Sequence, residues 1–233
     1  MKVAIMQPYI FPYLGYFQLI QSANKFLLLD DVAYINKGWI NRNRILVNGQ
    51  DIFFVVPLEG ASQNKLINAL TLVPDIKWKN KLEKTIELAY KKSIGFDTFF
   101  PLFKEILYFE SNQLSEYLAN SIISISNFLD IKTNIVFSTS VYENAQLKGQ
   151  ERIIDLCIKA SAETYINASG GKLLYDKQSF EDSGIQLKFL QAQLIPYKQI
   201  GTTNFFPGLS IIDVLMNNPK GTVQEKLNNF ILE

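Results

Sequence analysis

The chain has 233 residues, 48% of them apolar and 19% charged, which is enough for one sizeable core and lies near the length at which cores begin to divide. Its 23 basic and 22 acidic residues leave a net charge of +1 with no long run of either sign, so neither nucleic acid nor an acidic membrane surface is an expected partner. Histidine is absent and cysteine occurs once, which excludes a Ser/His/Asp triad, a Cys/His pair, an HExxH zinc site, a CxxC knuckle and an intrachain disulfide.

The first expected strand, "KVAIM" at 2–6, begins almost at the first residue, leaving no room for a charged and then apolar leader. No later stretch is a long uninterrupted apolar span, so the expectation is a cytoplasmic protein without membrane insertion. A short apolar helix follows at 14–23, then strands at 25–29, 51–58 and 67–73. Helical patterns cover 76–92, where Trp78, Leu82, Ile86 and Ala89/Tyr90 share a stripe, then 98–109 and 112–129. A strand at 133–139, a helix at 149–161, strands at 164–168 and 185–193 and a helix at 209–218 complete the chain. Cys157, at helical spacing with Ile153, Ile154 and Leu156, reads as a buried small apolar residue. Strands first, then a helical block, then alternation predicts a single α/β domain over 1–233 with a Rossmann-like sheet. The helical block, at about 75–130, inserts in that sheet or caps it as a soft-edged subdomain.

Two segments carry the candidate chemistry. In "MQPYIFPYLGYFQLI", between the first strand and its helix, Gln7 and Gln18 offer amides and Tyr9, Tyr13 and Tyr16 offer flat faces with a hydroxyl at the rim, a surface suited to a sugar or a base. Gly15 allows close backbone approach near the helix N-terminus. In "LLLDDVAYINKGWINRNRIL", Asp30 and Asp31 end a strand, as functional acids or as turn formers. Arg42 and Arg44, two apart, aim to one side of an extended segment with Asn41 and Asn43 on the other. The pair reads either as a fork for phosphate or carboxylate beside Trp39, or as charged protection of an edge strand. Farther on, Ser138 and Ser140 share a face at a strand end and suit hydroxyl binding. "NASGG", with Gly170, is a turn whose backbone could cradle a phosphate or an acyl oxygen.

These blocks together resemble the WbqC-like family. Later blocks match as well: "VPL", "STS", "ERIIDLC", "YINASGG", Tyr175, "IPYKQ" and "FPGLSIIDVLMNN". The resemblance spans nearly the whole chain. It places in motif blocks Gln7, Pro8, Tyr9, Pro12, Tyr13, Gly15 and Gln18; Asp30, Asp31, Trp39, Asn41, Arg42 and Asn43; and Ser138, Ser140, Arg152, Tyr165, Gly170, Tyr175, Tyr197, Gln199, Phe206, Ser210 and Asp213. Ala33 stands where the family commonly has a glutamine. A second similarity, in the layout of "YLGYFQLIQSANKFLLLD" and of "STS", is to nucleotidyltransferase-like Rossmann proteins. Tyr13 and Tyr16 replace the histidines that stabilise the transferring phosphate there, so a nucleotide would be held and not cleaved.

The WbqC-like resemblance implies a role in bacterial O-antigen and other surface-polysaccharide (lipopolysaccharide) biosynthesis, with other enzymes of that pathway as partners, and a glycine transferase activity. The expectation is therefore an acyl or aminoacyl (glycyl) transfer from an activated donor to the amine of a nucleotide-sugar. Asp30 or Asp31 takes the amine's proton, because acid/base work here falls to Asp, Glu, Tyr, Lys or the substrate. The donor is a thioester, an aminoacyl ester or an acyl phosphate. Alternatives are a non-catalytic nucleotide-sugar binding protein and an ATP-dependent ligase, the latter with Mg²⁺. No protein-held metal is expected.

Overall fold

The computed structural model describes residues 1–233. Strand β1 (Lys2–Met6) leads through a loop into helix α1 (Leu14–Ser22) and strand β2 (Lys25–Leu28). A hairpin of β3 (Arg42–Val47) and β4 (Gln50–Val55) follows, then a two-residue pair, β5 (Leu58–Glu59) and β6 (Thr71–Leu72). The helical block is α2 (Lys77–Tyr90), α3 (Phe96–Leu107) and α4 (Leu114–Phe128). The rest runs β7 (Asn134–Val136), α5 (Gly149–Lys159), β8 (Thr164–Ala168), α6 (Lys177–Glu181), β9 (Gln186–Ala192), α7 (Ile211–Asn217), α8 (Lys220–Lys226) and β10 (Phe230–Leu232).

Six strands form a central sheet in the order β10-β9-β8-β1-β2-β7, parallel throughout except for β10 against β9. The protein is thus a mixed α/β fold with a mostly parallel sheet. The chain leaves β1 to one side for β2 and β7, then crosses back for β8 and β9, so the order reverses between β1 and β8. A reversal of this kind opens a crevice at the carboxyl ends, where the loops after neighbouring strands diverge.

The near-continuous apolar runs of β1 and β2 follow from burial of both faces of the sheet. Val3, Ile5 and Leu27 point to a cluster of 12 buried residues shared with Ile153, Leu156 and Cys157 of α5 and Phe180 of α6. Ala4, Phe26 and Leu28 point the other way, into a cluster of 44 buried residues that takes in α1, α7 and the whole helical block. Cys157, in the smaller cluster, is fully buried between sheet and helix, and burial pushes its thiol up to about 12. No helix is long and apolar enough to cross a membrane.

Several expected elements differ. The strand expected at 67–73 is a 3-10 turn (Ile67–Ala69) followed by only two residues of β6, because this backbone bonds across to the start of α4. Leu114 donates to the Leu70 carbonyl, and Leu72 to that of Asn112. The strand expected at 51–58 breaks before Pro57, which cannot donate to a ladder. Strand β3 was not expected as an element of its own. Its turn, Asn48-Gly49, has positive φ at both residues (51° and 76°), the geometry that two-residue hairpins favour.

Candidate functional site

The loop after β1 turns sharply at Phe11, a fully buried residue held at φ 41°. A bulky side chain in the left-handed region is strained and persists only where its surroundings hold it. Here Asn43 of β3 donates from its amide to the carbonyls of Ile10 (3.1 Å) and Phe11 (2.8 Å), and the Ser210 hydroxyl adds a third bond to Phe11 O at 2.7 Å. Ile211 N closes the arrangement on Pro12 O. The loop is thereby fastened to the hairpin and to the start of α7.

This bend presents Tyr9, Pro12 and Tyr13 to an open cleft of about 220 Å³, closed on its other sides by Trp39, Asn43 and Leu194. Leu194 follows β9, so the cleft sits at the carboxyl edge of the sheet. Its size suits one ring-sized guest and not a large drug-like molecule. Burial raises both tyrosine hydroxyls above their ordinary value, so they remain protonated donors at neutral pH. Gly15 lies under this wall. A Cβ there would meet the Tyr13 ring and stand 2.8 Å from Ala192 Cβ, so its bareness makes room for the ring and not for a ligand.

Trp39 also belongs to a ladder on the outer face of the hairpin. Its ring stacks on Phe53 (centroids 6.1 Å apart), Arg42 lies over Phe53 at 4.6 Å and Arg44 over Trp39 at 5.8 Å. The two arginines share a side, as their spacing predicts, but they do not form a free fork. Arg42 donates to the carbonyls of Gly38 (3.0 Å) and Lys37, and Arg44 pairs with Asp51 at 2.6 Å. Asn41 is likewise internal: its amide donates to Val56 O and its oxygen accepts from Tyr34. Gln18 is fully buried on the far side of α1, donating to Lys226 O (2.8 Å) and Asn229 O (2.9 Å). It anchors the C-terminal segment and faces no cleft.

A second polar cluster lies at the ends of β2 and β7. Asp31 is committed to structure: its carboxylate stands 2.5 Å from the guanidinium of buried Arg152 and accepts from Thr139 at 2.5 Å. The N–H groups of that Arg152 nitrogen lie off the line to the oxygen, so charge more than hydrogen-bond alignment holds the pair. Asn144 fixes the arginine from behind through Nε. Asp30, 2% exposed, has a hydroxyl for a partner instead, accepting from Ser138 at 2.5 Å. Ser138 in turn lies 2.8 Å from the hydroxyl of Ser140, which is exposed. Burial raises the Asp30 pKa, the Ser138 bond opposes that, and the charge of Asp31 adds to it.

Neither aspartate lines the Trp39 cleft, and Gln7, half-buried at the end of β1, is in the loop that starts beside it. The turn after β8 forms a third locus. Gly170 is exposed and a Cβ there meets nothing, whereas Gly171 is covered by the Asn167 amide, 2.6 Å from a Cβ. The crowded position of "NASGG" is therefore the second glycine. Tyr175 packs edge-on against Tyr165 and Phe180, half-buried. Asp213, on α7, is fully interior, its carboxylate taking bonds from Tyr90, Tyr197, Gln199 and Asn217. Thr139 lies within the "STS" block, but its bond to Asp31, 108 residues earlier, is not readable from sequence, and Asn144 and Leu194 stand outside every motif block.

The model of the WbqC-like protein family matches residues 7–225. The chain belongs to the WbqC-like family. The match takes in the tyrosine loop, both carboxylates and α7 of this WbqC-like protein. A relative in Mycobacterium tuberculosis, the uncharacterized protein Rv1507c, is 30% identical over 223 residues, which cover 93% of each chain. No solved structure matches the chain.

Proposed function

We propose that this WbqC-like protein is a cytoplasmic transferase of bacterial surface-polysaccharide biosynthesis, built on a Rossmann-like sheet, that moves an activated acyl or aminoacyl group, glycyl among them, to the amine of a nucleotide-linked amino-sugar. The observation that supports it is the cleft at the carboxyl edge, walled by Tyr9, Tyr13 and Trp39 with the Asn43 side chain beside them. Flat aromatic walls with a polar rim suit a sugar ring or a base, and the edge is where open α/β sheets bind ligands. Asp30 is the carboxylate for the proton that acylation releases, because Asp31 is held by Arg152. A carboxylate of raised pKa is better matched to that task than an ordinary one. The test is mass spectrometry of nucleotide-linked amino-sugars incubated with thioester, aminoacyl ester and acyl phosphate donors. An acyl mass gain that Asp30→Asn abolishes while ligand binding persists is the expected result, and no gain with any donor contradicts it.

A second reading, a nucleotide-sugar binding protein without turnover, is favoured by one feature: both arginines are occupied within the chain, Arg42 by the Gly38 and Lys37 carbonyls just before the hairpin and Arg44 by Asp51 on β4. It expects binding in the same cleft and no product in the same assay.

A further inference from the structure

The hydrogen bonds around Ser138 have a fixed direction, and it decides what kind of group meets the surface. An ionised carboxylate only accepts, so the Ser138 hydroxyl donates its single proton to Asp30. Ser138 Oγ then has two lone pairs left. One accepts the Ser140 backbone N–H at 3.1 Å. The other faces Ser140 Oγ at 2.8 Å, and since Ser138 has no second proton, the Ser140 hydroxyl must be the donor. Every valence of Ser138 is thereby used. Ser140, which is exposed, has its proton turned inward and its lone pairs outward.

An outward pair of lone pairs on a chain that ends in a carboxylate attracts a donor, above all a cationic one, and repels an anion. We infer that Ser140 is the contact point for the acceptor's amine, and that Ser140 and Ser138 relay its proton to Asp30. This rests on the reading of the protein as an amine acyltransferase and adds to it a receiving residue and a route. The bound ammonium gives one proton to Ser140 Oγ as the proton of Ser140 passes to Ser138 and that of Ser138 to Asp30, which frees the nitrogen lone pair. As that lone pair forms the C–N bond, the bond from the acyl carbon to its leaving group breaks, and the second proton shed by nitrogen leaves with the departing group. Neutral Asp30 then returns its proton along the same chain to solvent. Ser140 touches substrate and is catalytic, whereas Ser138 is a positioning residue that acts through it. The arrangement uses no histidine, and it assigns separate tasks to Ser138 and Ser140, which sit at the start of the 3-10 turn Thr139–Tyr142 that follows β7 and not on a shared strand face.

The test is an NMR titration of the protein with three probes, D-glucosamine, D-glucose and N-acetyl-D-glucosamine, following the backbone amides of Ser138–Ser140 and the Asp30 carboxyl carbon. Glucosamine is expected to shift these signals and to bind about tenfold more tightly there than the two uncharged sugars, the worth of one charge-assisted bond. Ser140→Ala is expected to erase that preference and Ser140→Thr to retain it. Ser138→Ala should uncouple the Asp30 carbon from the glucosamine response, with Ser138→Thr restoring the coupling, an effect that loss of packing alone does not produce. Equal binding of the three sugars, a preference that survives Ser140→Ala, or no response at these amides overturns the relay. Binding of a nucleotide-sugar in the Trp39 cleft alongside such a result leaves the broader reading standing and removes the relay alone.

Discussion

Asp30 and Asp31 are chain neighbours in different environments, because successive residues leaving a strand face opposite ways. Asp31 meets Arg152 and Thr139, and Asp30 meets Ser138 alone among side chains. A carboxyl whose pKa is raised by burial keeps its proton in the folded chain through a pH range in which the unfolded chain has lost it. The stability this contributes is present below the ordinary carboxylate range and is lost as pH rises through the raised value. Asp30→Asn has no such titration. Denaturant unfolding from about pH 4 to about pH 7 is therefore expected to show the variant gaining on the wild type as pH rises. A gap that stays flat or narrows over that range contradicts the burial account.

At the scale of elements, the cleft depends on three pieces that meet at one residue. Asn43 on β3 holds the bend after β1, and Ser210 at the start of α7 holds the same carbonyl. Removing the Asn43 amide leaves the Ile10 carbonyl without its donor and the Phe11 carbonyl with Ser210 alone, and frees a strained φ at Phe11. Asn43→Ala is expected to cost about 2 kcal/mol in denaturant unfolding and to shift the NMR signals of Tyr9 and Tyr13. Stability within about 0.5 kcal/mol of wild type, the range of ordinary surface changes, contradicts the interlock. The hairpin itself was hidden in the sequence. Its outward positions Arg42 and Arg44 and its buried polar Asn43 interrupt the apolar alternation by which a strand is usually recognised. The Asn48-Gly49 pair was the readable signal, and its reach is local.

Across the whole molecule, what could be read from sequence depended on how near each residue's partner lies. Strands β1, β2, β8 and β9 were legible because a doubly covered sheet demands apolar runs, and helices α1 to α5 and α7 because their stripes repeat, whereas the short α6, α8 and β10 were not expected. The tyrosine loop and Trp39 were legible as an unusual concentration of amphipathic rings, and they do meet in one cleft. Arg42 and Arg44 were legible as a pair but not as occupied, since Asp51 reaches Arg44 only across the β3–β4 hairpin and the Lys37 and Gly38 carbonyls reach Arg42 only through the turn that precedes β3. Gln18 looked like a ligand-binding amide because its true partners, at Lys226 and Asn229, lie at the opposite end of the chain. The account depends most on the cleft accepting a guest. Trp39 and Trp78 are the two tryptophans, so Trp78→Phe leaves Trp39 as sole reporter, and its fluorescence can be titrated with a panel of nucleotide-linked amino-sugars. A saturable change that Tyr13→Ala weakens about tenfold is the expected result. Trp39 emission that no member of the panel alters, or an affinity unmoved by Tyr13→Ala, contradicts it.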